Sequence, residues 1–317
     1  MTPEFNLIKQ YFSKPTQHTS LGVGDDAALI NVSSGMQLAV SADMLVAGTH
    51  FFADCDAYQL GWKSLAVNVS DMAAMGANPK WATLAIALTN IDDAWLAAFS
   101  KGFFACAQTF NIDLIGGDTT RGPLTISVQI MGEVPLNQAL KRSGAQISDD
   151  IWVSGQLGSA ALGLAHLQGK IMLSGDALQA SIHALHSPVP RAVLGLALRG
   201  IATSCIDISD GLLADLGHIL EASNCGATID LEKIPCIDYL KSDLNSPQFQ
   251  TYLLAGGDDY ELCFTAPAHK REQINTLAKQ LNLPITCIGS TRIDIGLQTN
   301  YKNNKISLLK QGFDHFA

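Results

Sequence analysis

Glutamate is scarce in this chain: of 29 acidic residues only 6 are Glu and 23 are Asp. Glu favours helix interiors, whereas Asp favours caps, turns and compact metal sites, so the acidity falls on loops and helix starts. Charge as a whole is thin at 15% of residues, and 20 Lys plus Arg leave a formal net charge of -9. With no basic field, nucleic acid and anionic membrane surfaces are excluded as partners. Long apolar runs are absent too. The longest, Trp81 to Leu88 allowing Thr83, falls well below the roughly 18 residues of a spanning helix. The N-terminal MTPEFNLIKQYF has no basic-then-apolar leader pattern, so the chain reads as soluble and cytoplasmic. Seven Cys, odd in number and never in a CxxC, exclude a disulfide framework and a thiolate zinc site, and read as buried small hydrophobes. Also missing are GxxxxGK[ST], a GxGxxG after a strand, HRD with DFG, HExxH and GxSxG. The familiar ways of holding a nucleotide or activating a serine are therefore excluded.

What is present is apolar bulk. At 317 residues and 47% hydrophobic, the chain is long enough for two domains with ample cores. Apolar runs bounded by Gly or Asp alternate with helical patterns, the signature of an α/β (α+β) chain. Strands are expected at 38–41, 83–88, 113–115 and 124–134, with helices at 57–75 and 92–110. A polar stretch, Pro135 to Asp150, marks the boundary between domains 1–135 and 136–317. Beyond it, strands are expected at 151–154, 205–208, 227–231, 260–265 and 286–288. Helices are expected at 159–167, 191–199, 211–222 and 270–281.

Six motifs gather the Asp residues. Gly22-Val23-Gly24-Asp25-Asp26 reads first as a turn. Ser41-Ala42-Asp43 ends a strand, at the edge where α/β sheets place ligands. Asn68 and Asp71 share one face of an apolar helical stretch, where Asp71 is either a cap at a helix break or a metal ligand. Ile115-Gly116-Gly117-Asp118-Thr119-Thr120-Arg121 reads as a loop after a strand, rich in groups that meet phosphate and cation. Asp207-Ile208-Ser209-Asp210-Gly211 runs into a helix; its spacing fails the EF-hand pattern, and an N-cap accounts for one acid, not two. Gly256-Gly257-Asp258-Asp259 precedes a strand and reads as a hairpin turn. Arg142-Ser143-Gly144 adds a cation beside Gly, and His50 sits in a Gly-containing loop near Asp43. Each motif has a plain structural explanation, but their recurrence in one chain does not. Several carboxylates in one pocket need cations, and Mg²⁺, which keeps its waters and shares substrate phosphates, points to a nucleoside triphosphate.

In order and over nearly the whole chain, LGVGDDAAL, VSADMLVAGTHF, KSLAVNVSDMAAMGA, IGGDTTRGPL, RSGA, DISDGLLADLGHI, AGGDDYELCFT and GFDHF resemble the thiamine-monophosphate kinase family. The resemblance implies phosphoryl transfer from ATP to thiamine monophosphate with several Mg²⁺ ions. It also implies the two-domain fold of the aminoimidazole ribonucleotide synthetase superfamily, with N-terminal strands forming a barrel across a homodimer. It assigns Asp26, Ser41, Ala42 through its backbone, Asp43, Asp71, Asp118, Asp207 and Asp210 to metal coordination. Asp71, Asp118 and Asp210 become the catalytic carboxylates. Gly117, Asp118, Arg142 and Ser209 are assigned to ATP, and His50, Asp258 and Phe313 to substrate. Asp258 stands where the family's GGEDYEL has Glu, and Phe313 where an aromatic with a polar tip is common.

Overall fold

A computed structural model of the chain describes residues 3–302, 304–306, 312 and 313. These fall into two units, one of residues 1–72 and 77–137 and one of residues 73–76 and 138–317.

Besides a small two-stranded sheet of Thr19–Leu21 and Leu29–Ile30, the first unit has a four-stranded sheet of β1 (Met36–Val46), β2 (Asn78–Leu88), β3 (Asp113–Arg121) and β4 (Thr125–Pro135). Helix α1 (Ala57–Ala74) joins β1 to β2, and α2 (Asp93–Thr109) joins β2 to β3. The sheet order is β1-β4-β2-β3. The β1–β4 and β4–β2 pairs are antiparallel, whereas β2 and β3 are parallel, with α2 as the crossover that parallel pairing requires. Strand alternation divides the sheet into two unlike faces. Leu84, Ile86 and Leu88 of β2 and Ile126, Val128 and Ile130 of β4 are buried on one face. On the other face Ala85 and Gln129 are exposed, together with Val40 at 53% and Met44 at 57%.

Helix α1 is apolar nearly all round, with Leu65, Ala66, Val67, Val69 and Met72 buried, as befits a helix enclosed on every side. It meets α2 backbone to backbone. A Cβ at Gly61 would lie 2.0 Å from the Phe99 carbonyl oxygen, and one at Gly102 would lie 1.9 Å from that of Tyr58. Asp92 fixes the start of α2 by accepting the N–H groups of Ala94 and Trp95.

Among the described residues the second unit builds a seven-stranded sheet. Its elements are β5 (Asp150–Ser154), α3 (Ser159–Leu167), α4 (Gly175–His186), α5 (Ala192–Ala197), β6 (Ser204–Asp207), α6 (Leu212–Ser223) and β7 (Gly226–Asp230). There follow α7 (Pro247–Ala255), β8 (Leu262–Ala266), α8 (Arg271–Gln280), β9 (Ile285–Arg292), β10 (Gly296–Tyr301) and β11 (Asn304–Ile306). The strand order is β11-β10-β7-β9-β5-β8-β6. Its core gathers Ile151, Val153, Ile206, Leu216, Ile219 and Cys263. All seven cysteines are free thiols, five of them buried. Among the described residues no helix is long and apolar enough to cross a membrane.

Two local expectations are corrected. Gly116 to Arg121 is not a loop but the second half of β3, paired in register with β2 from Thr83↔Gly116 to Leu88↔Arg121. Ser41-Ala42-Asp43 does not end its strand but lies in the middle of β1, which runs on to Val46.

Candidate active site

The first unit sews β1 to α1 through acidic and amide side chains. The Ser41 Oγ donates to the Asp71 carboxylate at 2.5 Å, and the Asp43 N–H donates to the Asn68 side-chain oxygen at 3.2 Å. Ser41 and Asp43 are two residues apart and therefore on one face of β1; Asn68 and Asp71 are three apart and on one face of α1. Asn68 is fully buried, and its amide nitrogen donates to the Ser64 carbonyl one turn earlier. The helix does not break at Asp71, so the carboxylate is presented from a continuous helix rather than used as a cap. Ala42, on the opposite face, is exposed and pairs with Gln129. Just past β1, the His50 Nδ1 accepts the Val46 N–H at 3.0 Å, which requires the ring proton on Nε2. Asp26 is exposed in the turn after the Val23↔Asp25 bridge.

Asp118 occupies the other side of the sheet. It is exposed on β3 opposite Ala85 of β2, while Asp43 on β1 lies opposite Val128 of β4, itself opposite Leu84. The two carboxylates thus lie one residue apart in level, on opposite faces of the two outer strands and three strand spacings or about 14 Å apart along the sheet. One ion within a single copy of this unit cannot touch both. Gly117 is fixed by geometry: its φ is +147°, and a Cβ there would lie 1.8 Å from the Leu84 carbonyl oxygen.

In the second unit the decisive piece is the turn from β6 into α6. Asp207 is the last residue of β6, and Ser209, Asp210 and Gly211 lead to the first helical residue, Leu212. One oxygen of the buried Asp215 accepts the N–H groups of Ser209, Asp210 and Gly211 at 3.1, 3.1 and 3.0 Å. Burial, reinforced by the charge of Asp210, pushes the Asp215 carboxyl up to about 7 although three donors favour its anion. The Gly256–Glu261 segment lies against this turn. Asp258 donates its N–H to the Ser209 carbonyl at 2.9 Å, and Tyr260 donates its own to that of Ile208 at 2.8 Å. Both residues hold positive φ, 68° and 50°, and the Tyr260 hydroxyl donates to the Asp258 carboxylate at 2.9 Å. Phe313, 44% exposed, donates its N–H to the Asp210 carbonyl at 3.1 Å.

Paired Asp258 and Asp259 have different roles. Asp259 turns inward and accepts the Gly158 N–H on both oxygens, at 3.0 and 2.9 Å, at the start of α3. Burial raises its carboxyl well above the usual range. Glu261 is buried too, bidentate with Arg191 and accepting the Ser154 hydroxyl. Arg142 stands apart. Its carbonyl accepts from the Ser223 Oγ at the last residue of α6, whereas Ser209 precedes the first, so a twelve-residue helix separates them, about 18 Å.

The sequence signals acidic groups well and their supports poorly. Asn68, Asp215, Tyr260 and the Arg191–Glu261 pair are assigned no role by motif, yet they hold the backbone around the assigned residues. The available signal for Asp215 was its position four residues after Gly211, within one helical turn. Among the described residues no three His, Cys, Asp or Glu side chains converge as a metal-binding group; the assigned acids are met by hydroxyl, amide or backbone partners.

Residues 24–134 match the N-terminal domain, and residues 147–292 the C-terminal domain, of AIR synthase related proteins. The chain is 46% identical over 320 residues to the thiamine-monophosphate kinase of Escherichia coli (strain K12), covering 99% of this chain and 98% of that protein. It superposes on the crystal structure of thiamine-monophosphate kinase from Stenotrophomonas maltophilia K279a with a TM-score of 0.85 at 45% identity, covering 93% of this chain and 95% of that one. A structure of AaThiL complexed with AMPPCP and TMP matches with a TM-score of 0.77 at 28% identity, over 98% of this chain and 96% of that one.

Proposed function

Because the chain belongs to the thiamine-monophosphate kinases of the AIR synthase related family, we propose that it transfers the γ-phosphoryl group of ATP directly onto the phosphate of thiamine monophosphate. The products are thiamine diphosphate and ADP. The observation that carries this reading is the array of hard oxygen donors built onto fixed elements, above all Ser41, Asp43 and Asp71 on β1 and α1. The bound pair AMPPCP and TMP in a relative of the same fold supports a triphosphate donor and a phosphate acceptor.

The donor set suits Mg²⁺, which takes oxygen ligands, uses one or two carboxylates and completes its shell with waters and phosphates. Asp26, Ser41, the Ala42 carbonyl, Asp43, Asp71, Asp118, Asp207 and Asp210 would hold several such ions, with Asp71, Asp118 and Asp210 nearest the chemistry. Bound Mg²⁺ supplies the positive charge that lets two anions approach and steadies the transferring group. The acceptor phosphate has a second pKa of about 6 and is mostly dianionic at neutral pH, so no side chain has to remove a proton. Its oxygen forms the new bond to γ-phosphorus as the bridge to ADP breaks, and ADP leaves with the electron pair. The chain's own part is placement.

Gly117 and Asp118 approach the nucleotide from β3, and Ser209 from the turn before α6. Arg142, at the far end of α6, is spaced to meet a different part of an extended nucleotide from the one Ser209 meets. His50, Asp258 and Phe313 receive the thiamine portion. Asp258 is one methylene shorter than the family's Glu, and Tyr260 orients its carboxylate. Seven free thiols suit a reducing compartment and support a cytoplasmic enzyme. The exposed apolar face of the first sheet supports a homodimer that closes that face.

Incubation with γ-labelled ATP and thiamine monophosphate tests direct transfer. Label passes into thiamine diphosphate with none retained on the protein; a labelled phosphoprotein formed and consumed as fast as turnover contradicts it.

A further inference from the structure

We infer that Asp215, which touches neither substrate in the mechanism above, is the positioning residue from which both substrate-binding loops hang, an inference that rests on the roles proposed for Ser209, Asp210 and Asp258. Asp215 is 3% exposed, and a single oxygen of its carboxylate gathers three successive N–H groups. This is not helix capping. A cap serves the N–H groups of the helix's own first turn, whereas Ser209 and Asp210 lie before the helix, which begins at Leu212. Convergent backbone N–H groups are otherwise places where proteins receive phosphate. Here the acceptor oxygen is built in, so those N–H groups are spent, and a contact from Ser209 to a nucleotide runs through its side chain.

The same turn passes the constraint outward through its carbonyls. Ser209 receives the Asp258 N–H, Ile208 that of Tyr260, and Asp210 that of Phe313. Asp258 and Tyr260 hold left-handed backbone, which persists only where the surroundings over-determine it. The turn is the surrounding that does so. One carboxylate therefore fixes Ser209 and Asp210 directly and, through two further hydrogen bonds, the substrate-side residues Asp258 and Phe313.

Full-length Asp215→Ala and Asp215→Asn variants test this by steady-state kinetics per folded protein and by amide hydrogen exchange of residues 208–212. Loss of the shared acceptor in Asp215→Ala should raise KM for ATP and for thiamine monophosphate together, each by about tenfold or more, and open the three amides to exchange. Asp215→Asn keeps an acceptor oxygen and should hold both KM values within about threefold and leave the amides protected. The inference is overturned if the Ala variant keeps both KM values, if only the ATP value rises, or if the Asn variant exchanges like an open loop. Should the Ala variant not fold, exchange in the Asn variant decides alone. A wild-type protein that makes no thiamine diphosphate would refute the proposed function, while the exchange measurement would still judge Asp215.

Discussion

Asp71 accepts the Ser41 hydroxyl from the neighbouring strand and is carried on a continuous helix, an arrangement that fixes its carboxylate in place. Asp71→Asn keeps an acceptor for Ser41 but removes the charge. It should lower kcat by about a hundredfold or more while leaving the thermal midpoint nearly unchanged, measured on the same preparation. Glu133 is the contrasting case, a buried acid whose work is structural. Burial alone would raise its pKa, but Lys80 at 2.6 Å and the Ser33 N–H and hydroxyl outweigh that and hold it below its ordinary value of 4.5. A depressed acid stabilises the fold above its unfolded pKa, and the contribution is lost as pH falls through the folded value. Thermal melts of the wild type should therefore steepen in their decline below about pH 4.5. Glu133→Gln should lose about 1.5–3 kcal/mol at neutral pH and show a flatter acid limb. A variant parallel to wild type across that range contradicts the assignment. Residues of these two kinds were not equally legible. Asp71 announces itself as a carboxylate among Ala, Val and Met, whereas Asn68 and Asp215 act on backbone groups that carry no sequence signal.

At the scale of elements, β3 carries the sharpest constraint. Gly117→Ala would set a methyl against the Leu84 carbonyl at 1.8 Å and at a backbone angle that Ala avoids. It should cost more than about 2 kcal/mol and displace Asp118, with activity falling further than stability. Gly122→Ala in the turn after the same strand, where the new methyl meets Ala87 at an ordinary 3.5 Å, should change little. Equal effects from the two substitutions would show that the close approach at Gly117 does not position Asp118. The sequence hid this strand because Gly-Gly-Asp-Thr-Thr is turn chemistry, and the pairing that overrides it comes from β2, some thirty residues away. Helices α1 and α3, continuous and apolar, were legible to within a residue at each end. Helix α4 carries its signal in Leu178, Ile182 and Leu185, but the Gly-Asp start and two His obscure it. The polar strands β10 and β11 have little periodicity to read.

At the scale of the whole molecule, the open face of the first sheet is where the proposed homodimer is tested. Val40 and Met44 are more than half exposed beside Ala42 and Ala85, a largely apolar face suited to a second copy. Met44→Asp should yield monomers by sedimentation and cost most of the activity; a variant that sediments and turns over like wild type would contradict a dimer closed over this face. Under the proposed function the scarcity of Glu and abundance of Asp would have a cause: short carboxylates on strands and helix starts that share cations with phosphate. Metal-dependent transfer to thiamine monophosphate is tested by supplying the purified protein with ATP and thiamine monophosphate and following the product with and without a chelator. Thiamine diphosphate and ADP should form in equal amounts, with formation abolished by chelation and restored by Mg²⁺. Free phosphate with no thiamine diphosphate, or turnover indifferent to the chelator, would contradict metal-dependent transfer.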